Sequence, residues 1–366
     1  MTGPTATRVG DMADPRIRLI VVFGGQSAEH DVSRVTAAHV LAAADPERYD
    51  VQPIAITREG KWLFAEGAAR ALAVGPAALP RALEVEGPAI DPAPMLATSD
   101  TLTVVFPLLH GPLGEDGTVQ GMLELAGVPY VGSGVLASAL SMDKAKAKEV
   151  LAFRGFAQTR WHAFREHELD ADTCAALVDE FGFPMFVKPA NMGSSVGVSK
   201  VKTRTDLDAA IALALSYDEW VVVEEAVTGR EIEVAVLGNE VPRASVPGEI
   251  IPGHEFYDYD DKYVDDGARY LVPAPLSEEA TTSVRRLAVE AFLALRCEGM
   301  ARVDFFYEEG GRGFLINELN TIPGFTPISM YPKLWHATGV SYGELIDELV
   351  RLAVERAGRR RRKTAR

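Results

Sequence analysis

The chain has few features that would anchor it covalently or in a membrane. Only two of its 366 residues are cysteine, Cys174 and Cys297, and they lie far apart outside any C-x-x-C spacing. The sequence therefore predicts reduced, buried thiols, and neither a disulfide framework nor a zinc site. No apolar run reaches the ~18 residues that a membrane-spanning helix needs. No signal-peptide pattern surrounds the apolar run Leu19–Phe23, so we expect a cytosolic protein without a membrane partner.

Positive charge is also scarce. There are 37 Lys and Arg residues against 52 Asp and Glu residues, which gives a net charge of −15. Several of the basic residues lie at the very end, between Arg359 and Arg366, so the remainder of the chain is even more acidic. A nucleic-acid partner is therefore not expected for the folded part. An anionic partner could contact the basic stretch, but we prefer a solvated terminus. We predict disorder over residues 1–16 and a disordered basic tail over 358–366.

The sequence lacks the two most familiar nucleotide-binding loops. The phosphate-binding pattern G-x-x-x-x-G-K-[ST] does not occur. Residues 132–137 match the glycine pattern of a dinucleotide site, but Leu151 and Ala152 stand where an acidic residue is expected about 20 positions later. We therefore reject NAD as a cofactor.

Apolar strands alternate with helical segments in the first third of the chain. Strands are predicted at 16–23, 51–57 and 102–108, and a helix at 32–44, which is typical of a parallel α/β sheet. Residues 67–98 are interpreted as short strands and surface loops. From about residue 156 the pattern is mixed α+β, and the length favours two or three domains. We place them at 17–137, 138–220 and 221–357.

Two predicted strands with acidic side chains are the strongest candidates for a functional site. Residues 302–307 and 314–320 both alternate in polarity, so Arg302 shares a strand face with Asp304, and Glu318 shares one with Asn320. In a hairpin, these oxygens would suit Mg²⁺, which usually also binds substrate phosphates. A hairpin with one solvated polar face is the alternative. The adjoining turn Thr321–Phe325 argues against it, because it is apolar and contains proline and glycine.

Three further segments fit phosphoryl-transfer chemistry. Lys188 ends a strand and precedes a loop of small residues, 190–197, whose backbone N–H groups could wrap phosphate oxygens. Alone, such a loop is more often a simple turn. The strand 221–224 ends in carboxylates, and a solvated strand end is the better interpretation when it is taken alone. The loops 24–31 and 110–121 each follow a strand, so they should open at one edge of the sheet, where Glu29 could bind a substrate ammonium.

Six segments, in this order, resemble the D-alanine–D-alanine ligase family of the ATP-grasp superfamily. The similarity runs from about residue 17 to 353, and all six segments together are far more specific than any one. The segments are Gly24–Ser33, His110–Gly121, Met142–Lys144, Lys188–Gly197, Tyr257–Tyr263 and Asn317–Thr326.

The resemblance implies an ATP-grasp fold: an amino-terminal parallel α/β domain followed by two α+β domains that clamp ATP. It also implies roles for single residues. Those implied for ATP are Lys144, Lys188, Ser195, Glu224, Val227 and Glu231. Those implied for two Mg²⁺ (or Mn²⁺) are Asp304, Glu318 and Asn320.

The resemblance further implies which residues meet the amino-acid substrates. Glu29 would take the ammonium of the first D-alanine with His110 nearby, and Ser194 and Tyr263 would join Glu29 as the loop 255–267 closes. The remaining implied residues are Lys262 at the transferred phosphoryl group, Arg302 and the Gly324 N–H at the tetrahedral centre, and Ser329 at the second carboxylate.

These expectations define one predicted activity. ATP would convert a D-alanine into D-alanyl phosphate, and a second D-alanine would displace phosphate, giving D-alanyl-D-alanine and ADP for peptidoglycan precursors. A related ligase that makes a D-alanine–D-lactate ester is the nearest alternative, although within the family Lys262-Tyr263 favours the dipeptide. An inactive nucleotide sensor should have lost a phosphate or metal residue, and none is missing. We also expect a homodimer.

Overall fold

Three β-sheets organise the molecule. The computed structural model describes residues 16–92, 101–253 and 268–360. The strands are β1 (Ile17–Gly24), β2 (Tyr49–Ile56), β3 (Trp62–Phe64), β4 (Thr103–Pro107), β5 (Trp161–Arg165), β6 (Met185–Pro189), β7 (Ser199–Val201), β8 (Trp220–Glu225), β9 (Arg230–Gly238), β10 (Arg243–Ile251), β11 (Arg269–Leu271), β12 (Gly299–Glu308) and β13 (Gly313–Asn320). The helices are α1 (His30–Ala43), α2 (Glu66–Val74), α3 (Thr118–Leu125), α4 (Val135–Met142), α5 (Lys144–Phe153), α6 (Ala171–Phe181), α7 (Arg204–Leu215), α8 (Glu278–Ala294), α9 (Met330–Ala337) and α10 (Tyr342–Arg360).

The amino-terminal sheet is parallel, as predicted. Its order is β3-β2-β1-β4, and β1 pairs in parallel with both β2 and β4, while the edge strand β3 is antiparallel. From Leu19 onward every residue of β1 is buried, which is the pattern of a strand covered on both faces. The loops that follow β1 and β4 leave the sheet at the same edge.

Two antiparallel sheets follow. The central sheet has the order β5-β8-β6-β7, and the carboxyl-terminal sheet has the order β11-β10-β9-β12-β13. Helix α8 covers the carboxyl-terminal sheet with a buried stripe that includes Val284, Ala288 and Phe292, at the four-residue spacing of one helix face. Its start is fixed by Ser277, whose Oγ accepts a hydrogen bond from the Ala280 N–H at 3.1 Å.

The first and last domains share one hydrophobic core, and the central domain has a smaller core of its own. Leu19 and Phe23 of β1 lie in the same buried cluster as Trp335 and Leu349 of the last two helices. Burying one such side chain stabilises the fold by about 1.5–3 kcal/mol. The cluster of the central domain contains Val187, Leu207 and Val223 but no residue of the outer domains.

The structure corrects four sequence predictions. Strand β8 pairs with β5 and β6, so the domain boundary predicted between residues 220 and 221 falls inside the central sheet and has to move past Glu225. The boundary predicted after residue 137 likewise falls inside helix α4. Within 67–98, predicted to be short strands and loops, α2 continues to Val74 because alanines let it pack on β2.

The fourth correction concerns the end of the chain. Helix α10 continues to Arg360, so residues 358–360 are not part of a disordered tail. Arg359 Nη2 lies 2.5 Å from Glu298 Oε1, and Arg360 Nη1 lies 2.7 Å from Glu124 Oε1, so carboxylates hold the last helical turn. Three predictions lie outside the described residues: disorder over residues 1–15, the mobile loop 255–267 with Lys262 and Tyr263, and disorder over 361–366.

None of the helices in the described ranges combines the length and the apolar character that crossing a bilayer requires.

Candidate active site

A cleft of about 620 Å³ lies between the central and the carboxyl-terminal sheets. The structure therefore brings together residues that are far apart in the sequence. The predicted site residues that line this cleft are Lys144, Lys188, Ser194, Ser195, Glu224, Val227, Glu231, Arg302, Asp304 and Glu318.

The carboxyl-terminal wall of the cleft is the predicted hairpin. In it Arg302 pairs with Asn320 and Asp304 pairs with Glu318 across β12 and β13. Arg302 donates two hydrogen bonds to Asp304, from Nε to Oδ1 at 2.8 Å and from Nη2 to Oδ2 at 2.7 Å. The Asn320 amide nitrogen donates to Asp304 Oδ2 at 2.9 Å, which leaves the amide oxygen as an acceptor. The predicted convergence of these four side chains is confirmed.

A further carboxylate on this wall was missed by the sequence analysis. Glu233 on β9 lies opposite Asp304 in the sheet, with Oε2 3.1 Å from Arg302 Nε. Burial alone would lower the pKa of Arg302, but Asp304 and Glu233 raise it well above its usual value, so the guanidinium stays charged. Glu231 and Glu233 are two residues apart on a strand and so share a face of the sheet. This spacing could have revealed Glu233 in the sequence.

The central wall of the cleft carries lysines around one carboxylate. Lys188 Nζ lies 2.7 Å from Glu224 Oε1, and Lys148 Nζ lies 3.4 Å from the same oxygen. Burial alone would raise the pKa of Glu224, but the charges of Lys148 and Lys188 lower it to about 2. Thr159 Oγ1 donates to the other oxygen, Oε2, at 3.0 Å. Glu224 is therefore ionised and fixed although it is almost completely buried.

Lys144 joins the two walls. It begins helix α5 in the central part, and its Nζ lies 3.8 Å from Glu318 Oε2 on the hairpin. Burial lowers the pKa of Lys144, while Glu318 opposes that effect. Lys144 and Lys148 are four residues apart on one helix and so face the same way.

The loop Gly193–Ser195 connects the cleft to the amino-terminal domain. Ser194 and Ser195 both have positive φ, 49° and 60°, which is uncommon for residues other than glycine. This backbone lets the Ser194 hydroxyl donate to Glu29 Oε1. A Cβ on Gly193 would lie 3.1 Å from Glu29 Oε2, so a larger residue at this position would crowd the Glu29 carboxylate.

Glu115 is a second site residue that the sequence analysis did not single out. It is buried, and its Oε1 accepts the Gly111 N–H at 2.9 Å. Burial and the nearby Glu29 raise the pKa of Glu115 to about 8. Glu115 is therefore mostly protonated at neutral pH.

His110, Gly324 and Ser329 lie around the turn after the hairpin. His110 Nδ1 contacts the carbonyl oxygen of Ile322 at 3.0 Å, so it must carry a proton, because a carbonyl only accepts. In the neutral ring, Nε2 is then an acceptor, and it is buried without a hydrogen-bond partner among the described residues. Ser329 Oγ accepts the Thr326 N–H at 3.2 Å and would lie 3.2 Å from a Cβ on Gly324.

The donor set of the hairpin fits Mg²⁺. Asp304, Glu318 and Asn320 offer carboxylate and amide oxygens, and such sites usually take one or two carboxylates together with substrate phosphates. Within the described ranges, no group of three or more His, Cys, Asp or Glu side chains is arranged to hold a metal by itself. The hairpin therefore suits a cation that arrives with a phosphate better than one held by protein alone.

Comparisons with known proteins agree on one family. A family model described as D-ala D-ala ligase N-terminus matches residues 18–133, and one described as D-ala D-ala ligase C-terminus matches residues 150–351. A D-alanine–D-alanine ligase of Kineococcus radiotolerans is 49% identical over 94% of this chain and 98% of its own, and one of Bacillus cytotoxicus is 46% identical over 93% and 96%.

Solved structures give the same result for the fold. The D-alanine–D-alanine ligase of Coxiella burnetii superimposes with a TM-score of 0.79 at 35% identity, covering 94% of this chain and 96% of that one. The VanG D-Ala:D-Ser ligase of Enterococcus faecalis also gives a TM-score of 0.79, at 34% identity and 92% and 99% coverage.

Proposed function

This chain belongs to the D-alanine–D-alanine ligase family, and we propose that it performs the ATP-dependent joining of two D-alanines for peptidoglycan precursor synthesis. In the reaction, a D-alanine carboxylate takes the γ-phosphoryl group of ATP and ADP leaves. The amine of a second D-alanine then attacks this acyl phosphate, forms the peptide bond and expels phosphate, with loss of a proton.

The observation that carries the proposal is the cleft in which lysines of one sheet face the hairpin of another, beside Glu29. The first step brings the anionic ATP to a carboxylate, and each pair of unit charges 4 Å apart repels by about 4 kcal/mol at an effective dielectric of 20. Lys188 and Arg302 line this cleft and supply fixed positive charge.

The nucleotide is proposed to lie along the central wall. Lys144, Lys188 and Ser195 would bind its phosphates, and the positions of Glu224, Val227 and Glu231 in the same cleft suit contacts with adenosine. Lys188 is held at the cleft by Glu224, from which it would turn to reach a phosphate.

Two Mg²⁺ (or Mn²⁺) are proposed to be held by Asp304, Glu318 and Asn320, and when bound they would neutralise phosphate charge. Arg302 orients Asp304 through two hydrogen bonds.

The amino acids are proposed to lie at the junction with the amino-terminal domain. Glu29, oriented by Ser194, would accept the first ammonium, with His110 close to the turn 321–325. Arg302 and the Gly324 N–H would stabilise the tetrahedral centre, and Ser329 would bind the second carboxylate. Lys262 is proposed to bind the transferred phosphoryl group, and Tyr263 is proposed to join the network of Glu29 and Ser194.

The second substrate has a specific alternative, because the VanG relative is named a D-Ala:D-Ser ligase. The test offers purified protein ATP, Mg²⁺ and D-alanine, alone or with D-serine or D-lactate, and identifies products by mass spectrometry. L-Alanine is the control. The proposal predicts ADP release that requires D-alanine, with the D-alanyl dipeptide as the main product. Release of ADP with no D-alanine-dependent product would contradict it.

A homodimer and a cytosolic location are also proposed. Apolar side chains on α3 and α4 support self-association, because Leu125 is 93% and Leu136 51% exposed on neighbouring helices. Light scattering of the purified chain tests the dimer, and a monomer at micromolar concentration would contradict it.

A further inference from the structure

A buried lysine beside the cleft is not used by the proposed mechanism. Lys148 on α5 is only 1% exposed, yet it is not among the residues proposed to bind a substrate. A buried charge of this kind is costly unless it is paired and hydrogen-bonded. Its partners are Thr159 and Glu224, and Glu224 is also the partner of Lys188.

Burial lowers the pKa of Lys148, while the Glu224 carboxylate opposes that effect and favours the ammonium form. An ammonium group has donors only, so Lys148 Nζ donates to Thr159 Oγ1 at 3.2 Å. The single hydroxyl proton of Thr159 is then left for Glu224 Oε2, at 3.0 Å. Lys148 is thus linked to both oxygens of Glu224. It lies 3.4 Å from Oε1 and is connected to Oε2 through Thr159.

The charges indicate what this arrangement permits. Glu224 has two lysine partners, Lys148 and Lys188, so the cluster carries one positive charge more than it needs for neutrality. If Lys188 turns towards a phosphate, Glu224 remains paired with Lys148. Without Lys148, the same movement would leave a buried, unpaired carboxylate, which is strongly unfavourable.

We propose that Lys148 is a positioning residue that keeps Glu224 paired and thereby releases Lys188 to bind a nucleotide phosphate. The proposal deepens the proposed function, on which it rests for the role of Lys188. Lys148 itself touches neither substrate. Its contribution is to nucleotide binding, because at saturating ATP Lys188 has already left Glu224 in both wild type and variant.

The test measures nucleotide binding without turnover. The full chain is titrated calorimetrically with Mg²⁺ and a non-hydrolysable ATP analogue in the absence of D-alanine. The proposal predicts that Lys148→Met weakens binding roughly tenfold or more, because one partner of a buried charge pair is lost. In steady state, the KM for ATP should rise by a similar factor, while kcat and the KM for D-alanine stay within about threefold.

Lys146→Met is the matched control. Lys146 lies on the same helix, but its side chain is 53% exposed and is paired with Glu149, so analogue binding should stay unchanged. Lys148→Arg keeps the charge and should restore most of the affinity. Equal losses in the Lys146 and Lys148 variants, or a native-like Lys148→Met that binds the analogue as wild type does, would overturn the proposal.

Thr159→Val keeps the proposal testable if Lys148→Met does not fold. It removes the hydroxyl bridge and leaves both charges, so a several-fold loss of analogue affinity is expected. Wild-type affinity in a folded Thr159→Val, when Lys148→Met cannot be studied, would overturn the proposal. Wild-type protein that binds the analogue but does not ligate D-alanine would refute the proposed function alone.

Discussion

The two walls of the cleft are both antiparallel sheets, yet they carry opposite charge. On the central wall, Lys148 and Lys188 surround a single carboxylate, Glu224. On the carboxyl-terminal wall, Glu233 and Asp304 surround a single guanidinium, that of Arg302. The lysines of the central wall can bind phosphate directly. The acidic carboxyl-terminal wall can bind phosphate only through added cations. This difference explains why lysines and metal ligands are both needed in one site.

The walls also differ in how they are held. The carboxyl-terminal sheet shares a core with the amino-terminal domain, whereas the central sheet packs around a separate and smaller cluster. Movement of the central wall would therefore disturb fewer buried contacts than movement of the other wall. An opening and closing cleft would be expected to move Lys188, which lies on the central sheet, and to leave the hairpin in place.

The largest effect should follow from breaking the acidic wall. Glu318→Gln keeps the shape of the side chain but removes its charge, and should lower kcat on the order of a hundred- to a thousandfold. ADP release at increasing Mg²⁺ is the measurement. Glu309→Gln is the control, because Glu309 is exposed in the hairpin turn and pairs only weakly with Arg230, at 3.3 Å. Unchanged turnover and magnesium dependence in Glu318→Gln would rule out the metal role.

A smaller effect should follow from weakening the lysine wall. Lys188→Met removes one of several positive charges, since Lys144 lines the same cleft. We expect the KM for ATP to rise roughly ten- to a hundredfold. Lys202→Met, at an exposed position just beyond β7, is the control for loss of a lysine from the same region. If both variants keep the wild-type KM, phosphate is not bound on the central wall.

The smallest effect concerns the junction between the walls and the amino-terminal domain. Because burial and Glu29 raise the pKa of Glu115 to about 8, the folded state holds this proton above pH 4.5, where the unfolded state has begun to lose it. Stability contributed by the protonated form is thus lost as pH rises towards 8. Glu115→Gln should gain in melting temperature relative to wild type between pH 5 and 8.

The control for that comparison is Glu59→Gln, since Glu59 is exposed and its carboxyl contacts Thr57 near the surface. A difference in melting temperature between Glu115→Gln and wild type that does not change with pH would show that Glu115 is ionised throughout.

The sequence predicted the acidic wall better than the lysine wall for a physical reason. Arg302, Asp304, Glu318 and Asn320 lie on two consecutive strands, so strand alternation and one turn are enough to bring them together. The partners of Glu224 come from a helix, a strand and a loop, and nothing local links them. Lys148 could have been suspected only from its four-residue spacing to Lys144.

The burial of site residues could not be predicted from the sequence either. Glu115 lies in a predicted ligand loop, but its raised pKa depends on how closely that loop packs against Glu29. The domain boundary at 220 was misplaced because strand β8 pairs with earlier strands, and pairing partners are not encoded within the strand itself. The extension of α10 to Arg360 depends on Glu298 and Glu124, which are distant in sequence.

The central claim is that nucleotide binds between a lysine wall and an acidic wall that needs added cations. Calorimetric titration of the wild-type chain with a non-hydrolysable ATP analogue, repeated from zero to millimolar Mg²⁺, tests it most directly. The account predicts weak binding without Mg²⁺, marked tightening as Mg²⁺ is added, and loss of most of this tightening in Glu318→Gln. An affinity that is independent of Mg²⁺ in the wild type would contradict it.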